Sequence, residues 1–376
     1  MRVLIAAGGT GGHINPALSI AECLKKRHSD IEILFAGSPR GMEATLIPKA
    51  GYPFAPIKVR GFQRQISLEN LMLNLDAVKC LAFAGHRAKV IIKKFQPDLV
   101  LGTGGYVSGP VVRCAARMGI PTAIHEQNAY PGVTNKILSK IVDLVFLPVV
   151  EAKKYFPAEA TGKMHVVGNP VREGILLKIG TEARRELGIG EKMCILSYGG
   201  SLGADAVNRI GADVMEWRQG KKDVYQIHAY GRLGKDLMPK LLEERSIRPE
   251  DDANLDLREY IDNMDTCMAA ADLVICRSGA STLSELEAAG KASILIPSPN
   301  VAENHQYHNA MVLASHEAAV VIEEKNYNKQ QLFDLLDGFY NDRNRLVSFG
   351  KNASKLAIFD TADRICDGLE RLLQRR

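Results

Sequence analysis

Val3-Leu4-Ile5-Ala6-Ala7-Gly8-Gly9-Thr10-Gly11-Gly12-His13 is an apolar run that breaks into a glycine-rich turn. A helical pattern follows, with Pro16 near its start and Leu18, Ala21 and Leu24 on one face. Strand, glycine turn and helix, in that order, open a nucleotide-binding α/β unit. Pro16 is expected in the first helical turn, where a missing N–H costs little. The next apolar run, Ile31 to Ala36, fits a neighbouring parallel strand.

The same grammar recurs along the chain. Leu99-Val100-Leu101 runs into Gly102-Thr103-Gly104-Gly105-Tyr106-Val107-Ser108-Gly109-Pro110, and a helix is expected from Val111. Cys194-Ile195-Leu196-Ser197-Tyr198 enters Gly199-Gly200-Ser201-Leu202-Gly203-Ala204, and Leu273-Val274-Ile275 enters Cys276-Arg277-Ser278-Gly279-Ala280-Ser281-Thr282, each ahead of a helix. Each half therefore carries two strand–turn–helix units. The fold class this predicts is α/β, with two doubly wound domains and ligand sites at the carboxyl ends of their strands. The turn-rich Gly168-Asn169-Pro170 marks the hinge. The expected domains are 1–167 and 168–343, followed by a charged helical tail over 344–376.

A chain of 376 residues can bury two cores, and 46% hydrophobic with 24% charged residues suits a globular protein. The N-terminal apolar run stops at Gly8, too soon for a signal peptide, and no run is long enough to span a bilayer. A cytoplasmic protein is expected. Seven cysteines without C-x-x-C spacing argue against a disulfide framework and a structural zinc site. A net charge of +5 is too mild to require nucleic acid, and no nucleic-acid partner is expected.

Bare amides at a helix N-terminus suit a phosphate, so Thr10, Gly11 and Gly12 are candidate anion contacts; a ligand-free tight turn is the plainer alternative. His13 opens that helix, where the dipole disfavours the cation and leaves a base-competent imidazole. Gly105, Tyr106 and Ser108 follow the second glycine strand and are candidate ligand contacts, the two hydroxyls as hydrogen-bonding groups; a structural turn at the Gly–Pro end is the plainer alternative. His125-Glu126-Gln127-Asn128 is a run of hydrogen-bonding side chains at a strand end, as a sugar requires. Ser201 and Arg172 can meet a diphosphate. Ser278, Ser281, Thr282 and Ser284 offer hydroxyls, and Glu285, expected on the first helical turn, can cap it or accept from a ribose diol. Glu303-Asn304-His305-Gln306 can complete a sugar pocket. D-x-D occurs nowhere, so no bound metal ion and no cofactor is expected beside the diphosphate.

The stretch Glu69 to Lys94 reads as a long amphipathic helix, with Gly85 suggesting a break. Leu68, Leu71, Met72, Leu75, Val78, Leu81 and Ala82 keep helical spacing, and Lys79, Arg87, Lys89, Lys93 and Lys94 line it with positive charge. Arg60 and Arg64 precede it. An apolar stripe with a basic rim suits an anionic membrane surface, although such helices more often pack on a core.

Six segments taken together resemble the MurG family of peptidoglycan N-acetylglucosaminyltransferases. They are Gly8 to His13, Gly105 to Pro110, His125 to Asn128, Gly168-Asn169-Pro170-Val171-Arg172, Gly199 to Ala204 and Cys276 to Ala280. The resemblance covers nearly the whole chain. It implies the GT-B fold, two Rossmann-like domains facing a cleft, with a tail helix packing back on the first. It implies transfer of N-acetylglucosamine from UDP-N-acetylglucosamine to the 4-hydroxyl of lipid I, giving lipid II at the cytoplasmic face of the plasma membrane. Ser201 and the backbone from Ala280 through Ser281, Thr282, Leu283 and Ser284 would hold the donor diphosphate. Ile261 would meet uracil, Glu285 the ribose, and Asn128 and Gln306 the sugar hydroxyls, with Arg172 close to the nucleotide. Thr10, Gly11 and Gly12 would approach the donor or the acceptor pyrophosphate. Some relatives carry two adjacent glutamines where this chain has His305-Gln306. His13 is the expected general base, with Glu126 as the second candidate. Lipid I, an anionic membrane surface and wall-synthesis or division proteins are the implied partners. A UDP-N-acetylglucosamine 2-epimerase shares the two-domain plan, and a non-catalytic nucleotide-sugar scaffold is the third reading.

Overall fold

The computed structural model describes residues 1–59 and 68–375, and between 68 and 82 it describes only the side chain of Cys80. Arg60 and Arg64 lie outside the described residues, as do the side chains of Leu68, Leu71, Met72, Leu75, Val78, Lys79, Leu81 and Ala82. The chain forms two units. Met1–Pro170 with Phe359–Arg376 makes the first, and Val171–Ile358 the second.

Among the described residues the first unit has seven strands. They are β1 (Arg2–Ala7), β2 (Glu32–Gly37), β3 (Phe54–Pro56), β4 (Leu99–Gly104), β5 (Thr122–His125), β6 (Leu144–Leu147) and β7 (Met164–Val166). All pair in parallel in the order β3-β2-β1-β4-β5-β6-β7. Val3 through Ala7 are wholly buried, as expected of a parallel strand covered on both faces. The order reverses between β1 and β4, so the loops leaving these two neighbours open side by side at the switch point. Their pairing slips between Ala6 and Ala7, where Ala7 meets Gly104.

Helix α1 (Gly11–Arg27) buries Ile14, Ala17, Ile20, Ala21 and Leu24 and ends on Lys25, Lys26 and Arg27, the charge its C-terminus favours. Pro16 is not in the first turn but is the sixth helical residue, buried; its missing N–H leaves the Gly12 carbonyl without its helical donor. Helix α2 (Glu43–Lys49) follows β2. Helix α3 (Leu68–Phe95) runs through Gly85 without the break that the glycine suggested. It buries Cys80, Ala84, Ala88, Ile91 and Ile92 at i, i+4, i+8, i+11 and i+12, the stripe of a core-facing helix. Helix α4 (Ser108–Arg117) starts three residues before Val111, with Pro110 in its first turn. Helix α5 (Val133–Leu138) is short.

The second unit repeats the design with six parallel strands among the described residues. They are β8 (Met193–Tyr198), β9 (Val224–Ala229), β10 (Leu255–Arg258), β11 (Leu273–Cys276), β12 (Ala292–Leu295) and β13 (Ala319–Val321), ordered β10-β9-β8-β11-β12-β13. Here the reversal falls between β8 and β11, which puts the loops beginning at Gly199 and Arg277 next to one another. The helices are α6 (Glu173–Leu177), α7 (Gly180–Glu186), α8 (Asp205–Trp217), α9 (Met238–Glu244), α10 (Met264–Ala270), α11 (Ala280–Ala289), α12 (His305–Ser315), α13 (Lys329–Asn341) and α14 (Arg343–Ser354). Ile195, Val214, Trp217, Ile275, Ile294, Leu336 and Phe339 form the core on one face of the sheet.

The segment read as one tail divides. Helix α14 packs on α11 and β12 in the second unit. The last helix, α15 (Thr361–Gln374), lies against α1 in the first unit and sends Ile365, Cys366 and Leu369 into the core that holds Val3, Ile5, Leu24 and Phe146. Arg27 donates to Asp363 and to Asp367, each at 2.6 Å, and pins the contact at its rim.

Candidate functional site

The switch point of the first unit is built around glycines that nothing larger can replace. Gly105 has φ +80°, and a Cβ there would stand 2.1 Å from the Gly8 carbonyl oxygen. At Gly104, with φ +109°, a Cβ would stand 2.6 Å from His13 Nδ1. The β4 loop thus lies directly on the β1 loop and on the first turn of α1. Ser108 was a candidate ligand contact, but it is fully buried and its hydroxyl is spent on backbone. It accepts from Gly104 N–H at 3.1 Å and donates to Ala6 C=O at 2.8 Å. Tyr106 beside it is exposed. Thr10 is the N-cap of α1, but its side chain makes no capping bond, and the first turn holds no acid. The amides of Gly11 and Gly12 therefore open a helix N-terminus that carries no carboxylate of its own.

Glu43, which sequence reading passed over, fixes the shape of this turn. It is fully buried. Its Oε2 accepts from Gly9 N–H at 3.1 Å and its Oε1 from Ser38 N–H at 2.9 Å. A Cβ on Gly8, Gly37 or Gly41 would come within 2.6 Å of its side chain, so three glycines make its berth. No window of sequence signals that berth, since Gly8 follows β1 while Gly37 ends β2 and Gly41 lies just before α2.

The run after β5 is a network rather than a solvated loop. Glu126 is buried and accepts five hydrogen bonds. Its Oε1 takes Gln127 N–H at 3.0 Å, Asn128 N–H at 2.9 Å and Asn128 Nδ2 at 3.1 Å. Its Oε2 takes Gly132 N–H at 3.0 Å and Asn135 Nδ2 at 2.8 Å. A carboxylate with its lone pairs so committed anchors a loop; it has no free pair for a substrate proton. His125 is fully buried, and burial pushes its imidazole down to about 4, so it stays neutral. Its Nε2 donates to the Gly168 carbonyl at 3.0 Å. Gln127 bridges the two histidines, with Nε2 on His125 Nδ1 at 3.1 Å and Oε1 on His13 Nδ1 at 2.9 Å. The sequence run singled out Gln127 only as one polar residue among four; its contact with His13 spans 114 positions and has no local signature.

In the second unit the two loops at the switch point differ in charge. Gly199 to Ala204 leads into α8, whose first turn carries Asp205. Ser201 is exposed there. Helix α11 begins at Ala280 after Gly279 with no side-chain cap and no acid in its first turn, so Ala280, Ser281 and Thr282 present unopposed amides. Leu283 and Ser284 point inward and are buried. Glu285 is the sixth residue of α11, one turn later than expected, so it is not a capping group. It lies in a bidentate pair with Arg172, whose Nε and Nη2 donate to its two oxygens at 2.6 and 3.0 Å. Two groups expected to touch a nucleotide therefore hold one another. Ile261 is buried. Gln306 Oε1 accepts from Ser298 N–H at 2.9 Å, which fixes the orientation of its amide. The turn before it places Glu303 and Asn304 at φ +52° and +49°, a left-handed pair unusual outside glycine. His305 Nδ1 meets the Ala302 carbonyl at 2.8 Å and closes that turn.

Along α3, Phe83, Arg87, Val90 and Lys94 are exposed on one face at i, i+4, i+7 and i+11, with Lys89 and Lys93 exposed beside them. No helix among the described residues is long and apolar enough to cross a membrane.

Comparison with known proteins agrees on one family. The glycosyltransferase family 28 N-terminal domain matches residues 3–147, and the family 28 C-terminal domain matches 194–365. The chain is 45% identical, over 100% of its length and 99% of the relative's, to the UDP-N-acetylglucosamine--N-acetylmuramyl-(pentapeptide) pyrophosphoryl-undecaprenol N-acetylglucosamine transferase of Acetivibrio thermocellus. It is 38% identical to the transferase of the same name in Bacillus cytotoxicus, with both chains fully covered. Among solved structures, Acinetobacter baumannii MurG aligns with a TM-score of 0.77 at 28% identity, covering 98% of this chain and 99% of that one. A UDP-GlcNAc 2-epimerase from Neisseria meningitidis, bound to UDP-GlcNAc, aligns at 0.67 with 15% identity, over 99% of this chain and 100% of that one, a likeness of fold alone.

Proposed function

The chain belongs to glycosyltransferase family 28, and from that premise we propose the course of its reaction. It transfers N-acetylglucosamine from UDP-N-acetylglucosamine to the 4-hydroxyl of the N-acetylmuramyl sugar of lipid I, giving lipid II. The observation that carries this reading is that each sheet has at its switch point a helix N-terminus, α1 in one and α11 in the other, with no side-chain cap and no acid in its first turn. Helix α4 shares the feature, but Pro110 removes one of its first-turn amides. The α1 and α11 termini each suit a pyrophosphate, and the reaction has two, one in the donor and one in the acceptor.

The donor belongs to the second unit. The amides of Ala280, Ser281 and Thr282 take its diphosphate, with Leu283 and Ser284 contributing backbone only and the Ser201 hydroxyl on the other loop. Glu285 accepts from the ribose hydroxyls once Arg172 swings from it toward phosphate, and Ile261 offers backbone to uracil. Gln306 donates its N–H2 to a sugar hydroxyl. From the first unit, Thr10, Gly11 and Gly12 take the acceptor pyrophosphate, Gly105 gives them room, Tyr106 lies beside the acceptor, and Asn128 meets the transferred sugar.

The donor linkage is α and the product linkage β, so the acceptor oxygen attacks the anomeric carbon once, in line. The bond from that carbon to the phosphate oxygen breaks, and the electron pair leaves with UDP. The acceptor proton passes to His13. Charge on the departing diphosphate is stabilised by the α11 amides. Glu126 has its lone pairs occupied and serves as the anchor of the loop. The test is His13→Ala, assayed with labelled donor and a lipid I analogue. Turnover is expected to fall about 10²–10⁴-fold with donor binding retained, the range for a lost general base. Near-normal turnover removes His13 from that role.

The acceptor is lipid-linked, so the enzyme works as a peripheral protein on the cytoplasmic leaflet. The exposed face of α3 is the docking surface, with Phe83 and Val90 entering the interface and Arg87, Lys89 and Lys93 meeting anionic headgroups. Leu75, Lys79 and Leu81 extend the same helix. Charge reversal at Arg87, Lys89 and Lys93 should weaken binding to vesicles rich in phosphatidylglycerol; unchanged binding removes the assignment.

A further inference from the structure

Gln127 touches two histidines of the first unit, His13 and His125, and is itself buried. We propose that Gln127 is a positioning residue that holds His13 in its Nδ1–H tautomer, leaving Nε2 as the bare nitrogen. The inference rests on the reading of His13 as general base, and it names the atom that takes the proton.

The assignment follows from donors and acceptors, starting at the far end of the chain of contacts. The Gly168 carbonyl can only accept, so His125 Nε2, 3.0 Å away, carries a hydrogen. His125 is neutral because it is wholly buried, so its Nδ1 is bare and needs a donor. The Gln127 group 3.1 Å from that nitrogen is therefore the amide N–H2. A second contact fixes the same orientation independently. The same amide nitrogen lies 3.0 Å from the His125 carbonyl oxygen, which would repel an amide oxygen. With the N–H2 end committed twice, Oε1 faces His13 Nδ1 at 2.9 Å and can only accept. A neutral His13 must then carry its hydrogen on Nδ1.

Neutral imidazole in water prefers the opposite tautomer, so the protein has to impose this one, and the partner of the other nitrogen is what imposes it. Nothing charged is used. A neutral amide and a histidine too buried to ionise transmit the constraint from a backbone carbonyl to the first turn of α1. The seat is tight as well, since Gly104 is the residue whose missing Cβ admits the His13 ring.

The experiment labels the histidines of the full-length protein with ¹⁵N and records long-range proton–nitrogen spectra, with His13→Ala identifying the His13 signals among the nine histidines. Wild type is expected to show a protonated Nδ1 and a bare Nε2. In Gln127→Leu the His13 signals should move toward the Nε2–H form, and kcat should fall about tenfold to a hundredfold, the usual cost of losing a group that orients a functional histidine. The donor KM should stay within about twofold. Gln127→Glu keeps an accepting oxygen at His13, and its protonated form can still donate to His125. It should retain the Nδ1–H signature and recover much of kcat relative to Gln127→Leu. An Nε2–H signature in wild type, or an unchanged one in Gln127→Leu, overturns the proposal. If Gln127→Leu does not fold, wild type and Gln127→Glu decide it, since an Nε2–H His13 in either is fatal. Near-normal turnover of His13→Ala beside the expected tautomer would sink the base and not the assignment.

Discussion

Replacing Glu43 with glutamine keeps the shape of the side chain and removes one accepting oxygen. In the native protein Oε2 takes the Gly9 amide at 3.1 Å and Oε1 the Ser38 amide at 2.9 Å, with the carboxylate wholly buried. A glutamine must turn its N–H2 toward one of these N–H groups whichever way it flips. One charge-assisted bond, worth about 1.5–3 kcal/mol, is lost, and the other drops to a neutral bond of about 1 kcal/mol. The donor left without a partner adds desolvation, and the glycines packed around the side chain limit its escape to another rotamer. The two bond losses alone sum to about 2–5 kcal/mol. For a unit of this size, with about 2–4 °C per kcal/mol, that is a fall of roughly 4–20 °C in the melting temperature. The assay is thermal unfolding followed by circular dichroism, with Glu43→Gln set against wild type. Acceptor KM should also rise, because the Gly8–Gly9 turn loses its strut while the second unit is untouched. A melting temperature within about 2 °C of wild type, by the same scaling, would mean that the carboxylate does not hold the turn.

Three further outcomes follow from the same geometry. Glu126→Gln should cost at least about 3 kcal/mol in urea unfolding, because an N–H2 cannot accept from the donors that converge on the carboxylate; unaltered stability with lost turnover would return Glu126 to candidacy as the base. Glu285→Ala should raise donor KM about tenfold, equivalent to about 1.4 kcal/mol, and leave acceptor KM alone; an unchanged donor KM refutes the ribose contact. His228 is buried and neutral, and desolvation pushes it from 6.5 down to about 4. Between those values the unfolded chain binds the extra proton, so the stability this histidine contributes is present above pH 6.5 and drains away as pH falls toward 4. His228→Gln should flatten the slope of unfolding free energy in that window by up to about 1.4 kcal/mol per pH unit. Parallel slopes for the two proteins would contradict it.

The fold was legible because its signal is local. Each of the four glycine-bearing strand ends declares itself within about a dozen residues, and parallel strands announce their burial by unbroken apolar runs such as Val3 to Ala7. Helix starts were legible only to within a turn. Pro16 suggests a beginning that the glycines before it had already supplied, and Glu285 reads as the opening of α11 because Ala280 to Ser284 carries no obvious signal of being helical. Candidate ligands were found by residue type, which does not separate a group that faces a substrate from one that faces the backbone. Ser108 and Glu126 look the same in sequence as a free hydroxyl and a free carboxylate. Their hydrogen-bond partners are what distinguish them. Glu43 and the role of Gln127 were invisible, since both depend on loops from different strands meeting, a property of the strand order rather than of any window of residues.

The position of α15 has a consequence for how the protein is made. The first unit is written on both sides of the second, and the face of its sheet that Ile365, Cys366 and Leu369 seal is complete only when synthesis has passed α15. Until then the nascent sheet waits with an oily flank, while the second unit, continuous from Val171 to Ile358, has everything it requires to fold first. Clipping away the last helix would thus strip the lid from the opening strand, and the half that is synthesised earliest would be the half that suffers.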